Sequence, residues 1–402
     1  MLFRDKLDEE LRSKIEAFRL YDAGNVKDIE QYLLRLSRIE AGDYSSLAER
    51  LFKLENFGAY PAQELASAGS FRFSFGVQWE NHEQARRWAA DILEKRTTFA
   101  ADGSQIYVAK ATLLPAAAIQ IGWFENPHDL DEPYEKNARF EILTPNDLFK
   151  QDDDPMNPDI RVEERRYLGE VEQVATFLEK KRGWQARGER MPVAFFDNPL
   201  LVPFSQKGLQ KSFLDATVEL VQLSRETGVP LVGYVDRSFS RDILTLLENF
   251  EIGHEPLFTS LYDASVLNAR RDDGSRYLAE WGDRTCFCFS KRRGLSAFED
   301  AATGRSTVGF TYLQTTADTS PARLDVPSWV YEAGLLNELI DVVRAECVIG
   351  LGYPYALEAA DQTAVISGRD REVFFRALQE FAKRGKLDFS AARKDTSKLR
   401  RR

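Results

Sequence analysis

Apolar positions along residues 5–55 recur every three to four residues, as in "DIEQYLLRLSRI", which predicts two or three amphipathic helices. The same period predicts a helix over 80–96, "ENHEQARRWAADILEKR". The texture then changes. "FAADGSQIYVAK", "AAAIQIGWFEN" and "NARFEILTP" are three strand-like runs separated by turn residues. A loop rich in Asp, Pro and Asn, "NDLFKQDDDPMNPD", leads into a helix over 161–182, then the buried strand "MPVAFFDNPLLVPF", which closes in Asp197 and a turn. A helix over 207–227, the strand "VPLVGYVDRS" and a helix over 239–250 follow. Beyond them come the strands "TCFCFS" and "STVGFTYLQ" and helices over 328–346 and 370–384.

The order of the central elements is three strands, helix, strand, helix, strand. Adjacent short strands favour antiparallel hairpins, and strand–helix–strand favours a right-handed parallel crossover. Together they predict an α/β fold with a ribonuclease-H-like mixed sheet flanked by helices, preceded by an N-terminal helical extension. The domain organisation expected is a helical region over 1–95, a ribonuclease-H-like domain over 96–385 and a basic tail over 386–402.

Composition narrows this picture. The 402 residues are 43% hydrophobic, enough for a substantial core. No run of eighteen apolar residues is present, so no membrane span is expected, and the charged start "MLFRDKLDEELRSK" does not read as a signal peptide. Cys286, Cys288 and Cys347 cannot make a disulfide framework and read as core thiols of a reducing, cytoplasmic setting. With His82, His128 and His254 as the whole histidine complement, a zinc site of the usual kind is not expected. The net charge of −10 argues against a surface coated with basic charge for nonspecific nucleic-acid binding. The charge is uneven: the last twenty residues hold nine Lys/Arg against two Asp, and read either as a solvated end or as a contact for phosphate or an acidic partner.

The chemistry rests on acids. A carboxylate inside a strand loses hydration unless it is paired or bound to metal. Asp102 sits at the head of the first strand, where "DGS" also reads as a turn. Asp197 closes the fourth strand, and in this topology the first and fourth strands pair, so the two carboxylates face each other. Two divalent cations about 3.5–4 Å apart are the established solution to such repulsion in phosphodiester cleavage, and hard oxygen ligands suit Mn²⁺ or Mg²⁺. A third acid is expected from the helix between them. At about 100° per residue, Tyr167, Val171, Val174, Ala175, Phe177 and Leu178 define its inner arc. Glu163, Glu164 and Glu170 fall within that arc or at its margin, with Glu170 preferred and Glu164 next, while Glu172 and Glu179 point away. Ser290-Lys291-Arg292-Arg293 is the best internal basic cluster. Lys291 suits a scissile phosphate, and Arg292 and Arg293 suit the backbone; a solvated loop fits the same residues.

Four stretches carry a resemblance. They are "DGS" at Asp102–Ser104, "FFDNPLL" around Asp197, "LYDASVLNA" with "WGDRTCFCFSK", and the most specific, "ARLDVPSWV" with "GLGYPYALEAADQTAVIS", within Ala322–Ser367. Over residues 95–385 the chain resembles the NurA nucleases, which process DNA ends with the hexameric ATPase HerA. The resemblance implies a ribonuclease-H-like core and a two-metal site preferring Mn²⁺. It also implies cleavage of DNA from 5′ ends, endonuclease action besides, and a ring-like homodimer that stacks on the motor. It assigns metal ligation to Asp102, Glu170 and Asp197, and matches Tyr353 to the tyrosine of the family's Gly-Tyr-Pro motif. Eight residues after that tyrosine many members carry histidine; here the position is Asp361, which can ligate Mn²⁺ but cannot supply imidazole chemistry near neutrality. That departure keeps a second reading open, a non-catalytic DNA clamp or adaptor that stimulates the ATPase.

Overall fold

The 38-residue helix α1 (Arg4–Ala41) opens the chain in the computed structural model, which describes residues 3–387 apart from 43, 52–53, 55, 110–113, 150–156, 203–209, 251–259, 271–273 and 317–318. In chain order, α2 (Tyr44–Leu51), β1 (Gly58–Pro61), α3 (Glu64–Ala68) and β2 (Arg72–Phe73) follow. Next come α4 (His82–Leu93), β3 (Thr98–Ile106), β4 (Ala117–Asn126), β5 (Glu135–Leu143), α5 (Pro145–Leu148), α6 (Pro158–Lys181), β6 (Val193–Phe196), α7 (Gln210–Thr227) and β7 (Leu231–Val235). Then α8 (Asp242–Phe250), α9 (Asp263–Asn268), β8 (Arg284–Thr285), β9 (Cys288–Lys291), β10 (Val308–Leu313) and β11 (Ala322–Pro327) precede α10 (Ser328–Glu332), α11 (Leu336–Ile349), α12 (Tyr355–Ala364) and α13 (Gly368–Arg384).

These elements form two compact units, each drawn from separate stretches: Met1–Gln78 with Val235–Ser328, and Trp79–Tyr234 with Trp329–Arg402. The expected segment 96–385 therefore contributes to both. A boundary of this kind is hidden from a linear reading, because a unit assembled from distant stretches leaves no linker between them. The basic tail lies outside the described residues beyond Leu387.

In the first unit, Tyr32, Leu33, Leu36 and Ile39 of α1 pack with α8 residues Ile243, Leu244, Leu246 and Leu247 into one apolar core. The expected strand "TCFCFS" is split here into β8 and β9, because its pairing with β10 shifts by one residue between Leu313↔Arg284 and Phe310↔Cys288. The three cysteines are buried in the core, as expected. Arg323 is fully buried between Asp325 and Asp242, with 2.7 Å contacts to each, and stacks over the Phe310 ring.

The second unit holds the mixed sheet, in the order β7-β6-β3-β4-β5. β3, β4 and β5 are antiparallel, and β3, β6 and β7 are parallel, the parallel steps being bridged by α6 and α7. This is the ribonuclease-H-like arrangement expected. Side chains alternate faces along a strand, and both faces of β4 are covered. On one, Ala117, Ile119 and Ile121 share a core with Val162 of α6. On the other, Gly122 lies under α12, where a Cβ would come within 2.5 Å of the Ala364 backbone nitrogen. The long run "AAAIQIGWFEN" is apolar on both faces for this reason. Among the described residues, no helix is long and apolar enough to cross a membrane.

Candidate active site

The "DGS" tripeptide is not a turn. Asp102, Gly103 and Ser104 lie in mid-strand, paired with Gly122, Ile121 and Gln120 of β4. The strand pairing expected between the first and fourth strands is present, with Ala101 opposite Phe196 in the β3–β6 register. The next residue on each is an aspartate, Asp102 half-buried and Asp197 exposed at the strand's end. Asp102 and Ser104 share the face covered by α12. The Ser104 hydroxyl accepts the Ile366 N–H at 3.3 Å, and the Gln120 amide donates to the Thr363 and Ala364 carbonyls at 3.2 Å, fixing the end of α12 on the sheet.

α12 brings the third aspartate. Asp361 stands close enough to Asp102 for its charge to act on that carboxyl. Burial first, and then the charges of Asp197 and Asp361, push the Asp102 carboxyl up to about 6, against a lowering by the Gly103 N–H. Just before α12, the Tyr353 hydroxyl donates to Asp197 Oδ1 at 2.9 Å, and the Tyr353 ring stands edge-on to Tyr234, centroids 5.2 Å apart.

Glu170 approaches from α6. It is 1% exposed, the deepest acid of this helix. Arg166, one turn earlier, donates to its Oε1, and Asn198, next to Asp197, donates to Oε2 at 3.2 Å. Gly103 makes the approach possible: a Cβ there would stand 2.5 Å from Glu170 Oε1 and 2.6 Å from the Arg166 side chain. Burial pushes the Glu170 carboxyl up to about 8, with Asp102 and Asp197 adding to it and Arg166 opposing it.

The remaining candidates lie elsewhere. Glu164 accepts from Arg161 and from the Ser212 hydroxyl, and Glu163 accepts from the Tyr107 hydroxyl. Glu172 pairs with Arg139 and Arg165, and Glu179 with Arg182. Lys291, Arg292 and Arg293 belong to the other compact unit. There the Lys291 ammonium donates to Glu299 and the Gly304 carbonyl, Arg292 lies 3.8 Å from Asp242, and Arg293 is exposed. Sequence reading missed Arg166 and Asn198, the two donors that hold Glu170. The i,i+4 spacing of Arg166 and Glu170 was the available signal.

The donor set fits a hard divalent cation in kind: crowded carboxylates raised toward their neutral forms are relieved by positive charge between them. It is not convergent as it stands. Among the described residues no group of three or more His, Cys, Asp or Glu side chains is arranged to hold one ion. Both oxygens of Glu170 are engaged by Arg166 and Asn198, and Asp197 Oδ1 by Tyr353. Asp102, Asp197 and Asp361, with Glu170 after release from Arg166, are the side chains that would hold metal. Bound metal would activate water and stabilise a leaving oxygen.

With this geometry in hand, comparison with known proteins decides the family, because residues 96–366 match the NurA domain. The chain belongs to the NurA family. Membership supports a nuclease-type function. Comparison with curated proteins gives no match. Among solved structures, the chain is similar to a NurA bound to dAMP and manganese, with 10% identity, 72% of this chain and 88% of that one covered, and a TM-score of 0.38. A NurA with manganese follows at 11% identity, 74% and 94% coverage and a TM-score of 0.33. The catalytic domain of human Endonuclease V gives 11% identity, the same coverages and a TM-score of 0.31. At such identities and scores all three are distant likenesses. Within the NurA match fall Asp102, Glu170, Asp197, Tyr353 and Asp361, and also Lys291, Arg292 and Arg293.

Proposed function

We propose that this chain is a metal-dependent deoxyribonuclease, with Asp102, Glu170, Asp197 and Asp361 as the ligands of Mn²⁺, or of Mg²⁺ in its place. The observation that supports the reading is that Asp102 and Asp197 follow the paired residues Ala101 and Phe196 on neighbouring strands, where the charges of Asp197 and of Asp361 from α12 act on Asp102, with Glu170 held on the opposite face at Gly103. Tyr353 orients Asp197 through its hydroxyl. Asp361 stands where many members carry histidine, so general acid–base work falls to water and the carboxylates rather than to an imidazole. DNA is the substrate, attacked as linear duplex or single strand from 5′ ends with endonuclease action besides. The partners are a HerA-type hexameric ATPase and a second copy of the chain, acting in double-strand-break end processing in the cytoplasm. Lys291, Arg292 and Arg293 contact phosphate, Lys291 after exchanging its Glu299 partner for the backbone.

The test is digestion of a linear duplex by purified protein with Mn²⁺ and no ATPase. Asp102→Ala and Asp197→Ala should abolish digestion while leaving the folded state intact. Undiminished digestion by either variant overturns the site. No digestion by the wild-type protein, with retained DNA binding and stimulation of the ATPase, instead favours the clamp reading. The engagement of both Glu170 oxygens by protein donors is the observation on that reading's side.

A further inference from the structure

Helix α12 carries Asp361 and begins two residues after Tyr353, yet it starts with no cap of its own. The first N–H groups of a helix have no partner within it, and the N-cap residue here is Pro354, which makes no side-chain cap hydrogen bond. The turn before it is tightly wound. Leu351 and Gly352 both have positive φ, 57° and 113°, and Gly350 packs against the Tyr353 carbonyl so closely that no side chain fits.

The missing cap comes from the preceding helix. Glu346, in the last turn of α11, is 1% exposed, and its Oε2 accepts the Ala356 N–H at 2.9 Å. A buried acid against a helix N-terminus gains both a hydrogen bond and the favourable end of the helix dipole. Glu346 Oε1 has no hydrogen-bond partner among the described residues, and His128 Nε2 stands 3.7 Å from it. The His128 ring is held from its other side, 2.7 Å from Nδ1 to the Arg96 carbonyl. A carbonyl only accepts, so Nδ1 carries hydrogen, and Nε2 is the group turned toward the carboxylate. His128 has a φ of +49°, uncommon for a side chain of its size.

We infer that Glu346 is a positioning residue of the proposed nuclease site: its carboxylate, through the Ala356 N–H, seats the start of α12 and so sets Tyr353 against Asp197 and Asp361 against Asp102. The inference rests on the nuclease reading for its consequence in catalysis, but not for its structural part. Amide hydrogen exchange of the metal-free full chain reads the seating directly. In Glu346→Ala, amides of residues 355–360 should exchange faster by about tenfold or more, while those of β3 and β4 keep their protection. Glu346→Gln retains an oxygen for the Ala356 N–H and should restore most of the protection. In the Mn²⁺-dependent assay, Glu346→Ala should lower kcat by about tenfold or more with KM nearly unchanged, and Glu346→Gln should recover most of it. Should Glu346→Ala fail to fold, Glu346→Asp, too short to reach Ala356, carries the same expectation. Unchanged exchange at 355–360, or loosening spread equally over β3 and β4, overturns the inference. A Glu346→Ala that loosens α12 in a wild-type background without nuclease activity would sink the nuclease reading and leave the seating intact.

Discussion

Gly103 shows how much a missing side chain decides. Its neighbour Asp102 points to the α12 face, and the empty Gly103 position admits the Glu170 carboxylate and the Arg166 stem from the other. Gly103→Ala should displace Glu170, with a loss of about 1–3 kcal/mol in stability. Mn²⁺-dependent activity should fall by more than that loss of folded protein accounts for. Urea titration and digestion of a linear duplex, run side by side, check this; wild-type values in both contradict it. The acids make a second prediction. Asp102 and Glu170 are raised to about 6 and about 8 in the folded chain, from about 4 when unfolded. The folded state therefore holds more protons between those limits, and stability falls as pH rises through about 4 to 8. In the presence of a chelator, Glu170→Gln should flatten the upper part of that slope. At about pH 8.5 it should melt above wild type, by about 2–4 °C for each kcal/mol relieved. Melting curves at several pH values decide it, and parallel profiles would show that the carboxyl is not strained by burial.

At the scale of elements, close approach of α12 to β4 brings Asp361 to Asp102. Gly122 permits it, with the Ala364 nitrogen 2.5 Å from where a Cβ would stand. Gly122→Ala should push the helix outward, with a cost of about 1–3 kcal/mol in stability. Because Asp361 is then drawn away from Asp102, the coupling energy between Gly122→Ala and Asp361→Asn in a double-mutant cycle on activity should be measurable. Strictly additive effects would mean that α12 tolerates the shift. Strand and helix periods were legible in the sequence for β3 to β7 and for α4, α6 and α7. Less legible were β1 and β2, too short to show an alternation, and the break of 328–346 into α10 and α11, which Gly334 imposes with a φ of 74°.

For the whole molecule, charge is the quantity to test. A chain with net charge −10 can hold DNA only where its cations are concentrated. Cleavage of linear duplex should therefore fall steeply between about 50 and 200 mM salt, because counterions freed from the phosphates gain less entropy as the bulk salt rises. Log activity at subsaturating DNA against log salt gives the slope, and a flat line contradicts the expectation. The local charge of the tail suggests its contribution; removal of residues 388–402 should make that slope shallower.

The sequence by itself determined the sheet. Alternation and helical period are local properties, and with the handedness of crossovers they fix the order β5-β4-β3-β6-β7, hence the meeting of Asp102 with Asp197. The motif in 322–367 pointed to the family on its own residues. Only the tertiary structure decided the rest. Glu170 was separable from Glu163 and Glu164 on α6 only once burial and partners were known, because helix angle alone leaves a wide arc open. Asp361, already singled out by the motif, comes to the Asp102 face through packing of α12 on Gly122, more than two hundred residues away, and Arg166 and Asn198 matter through the acid they hold. Such contacts depend on which faces meet in three dimensions, and nothing local in the chain records that.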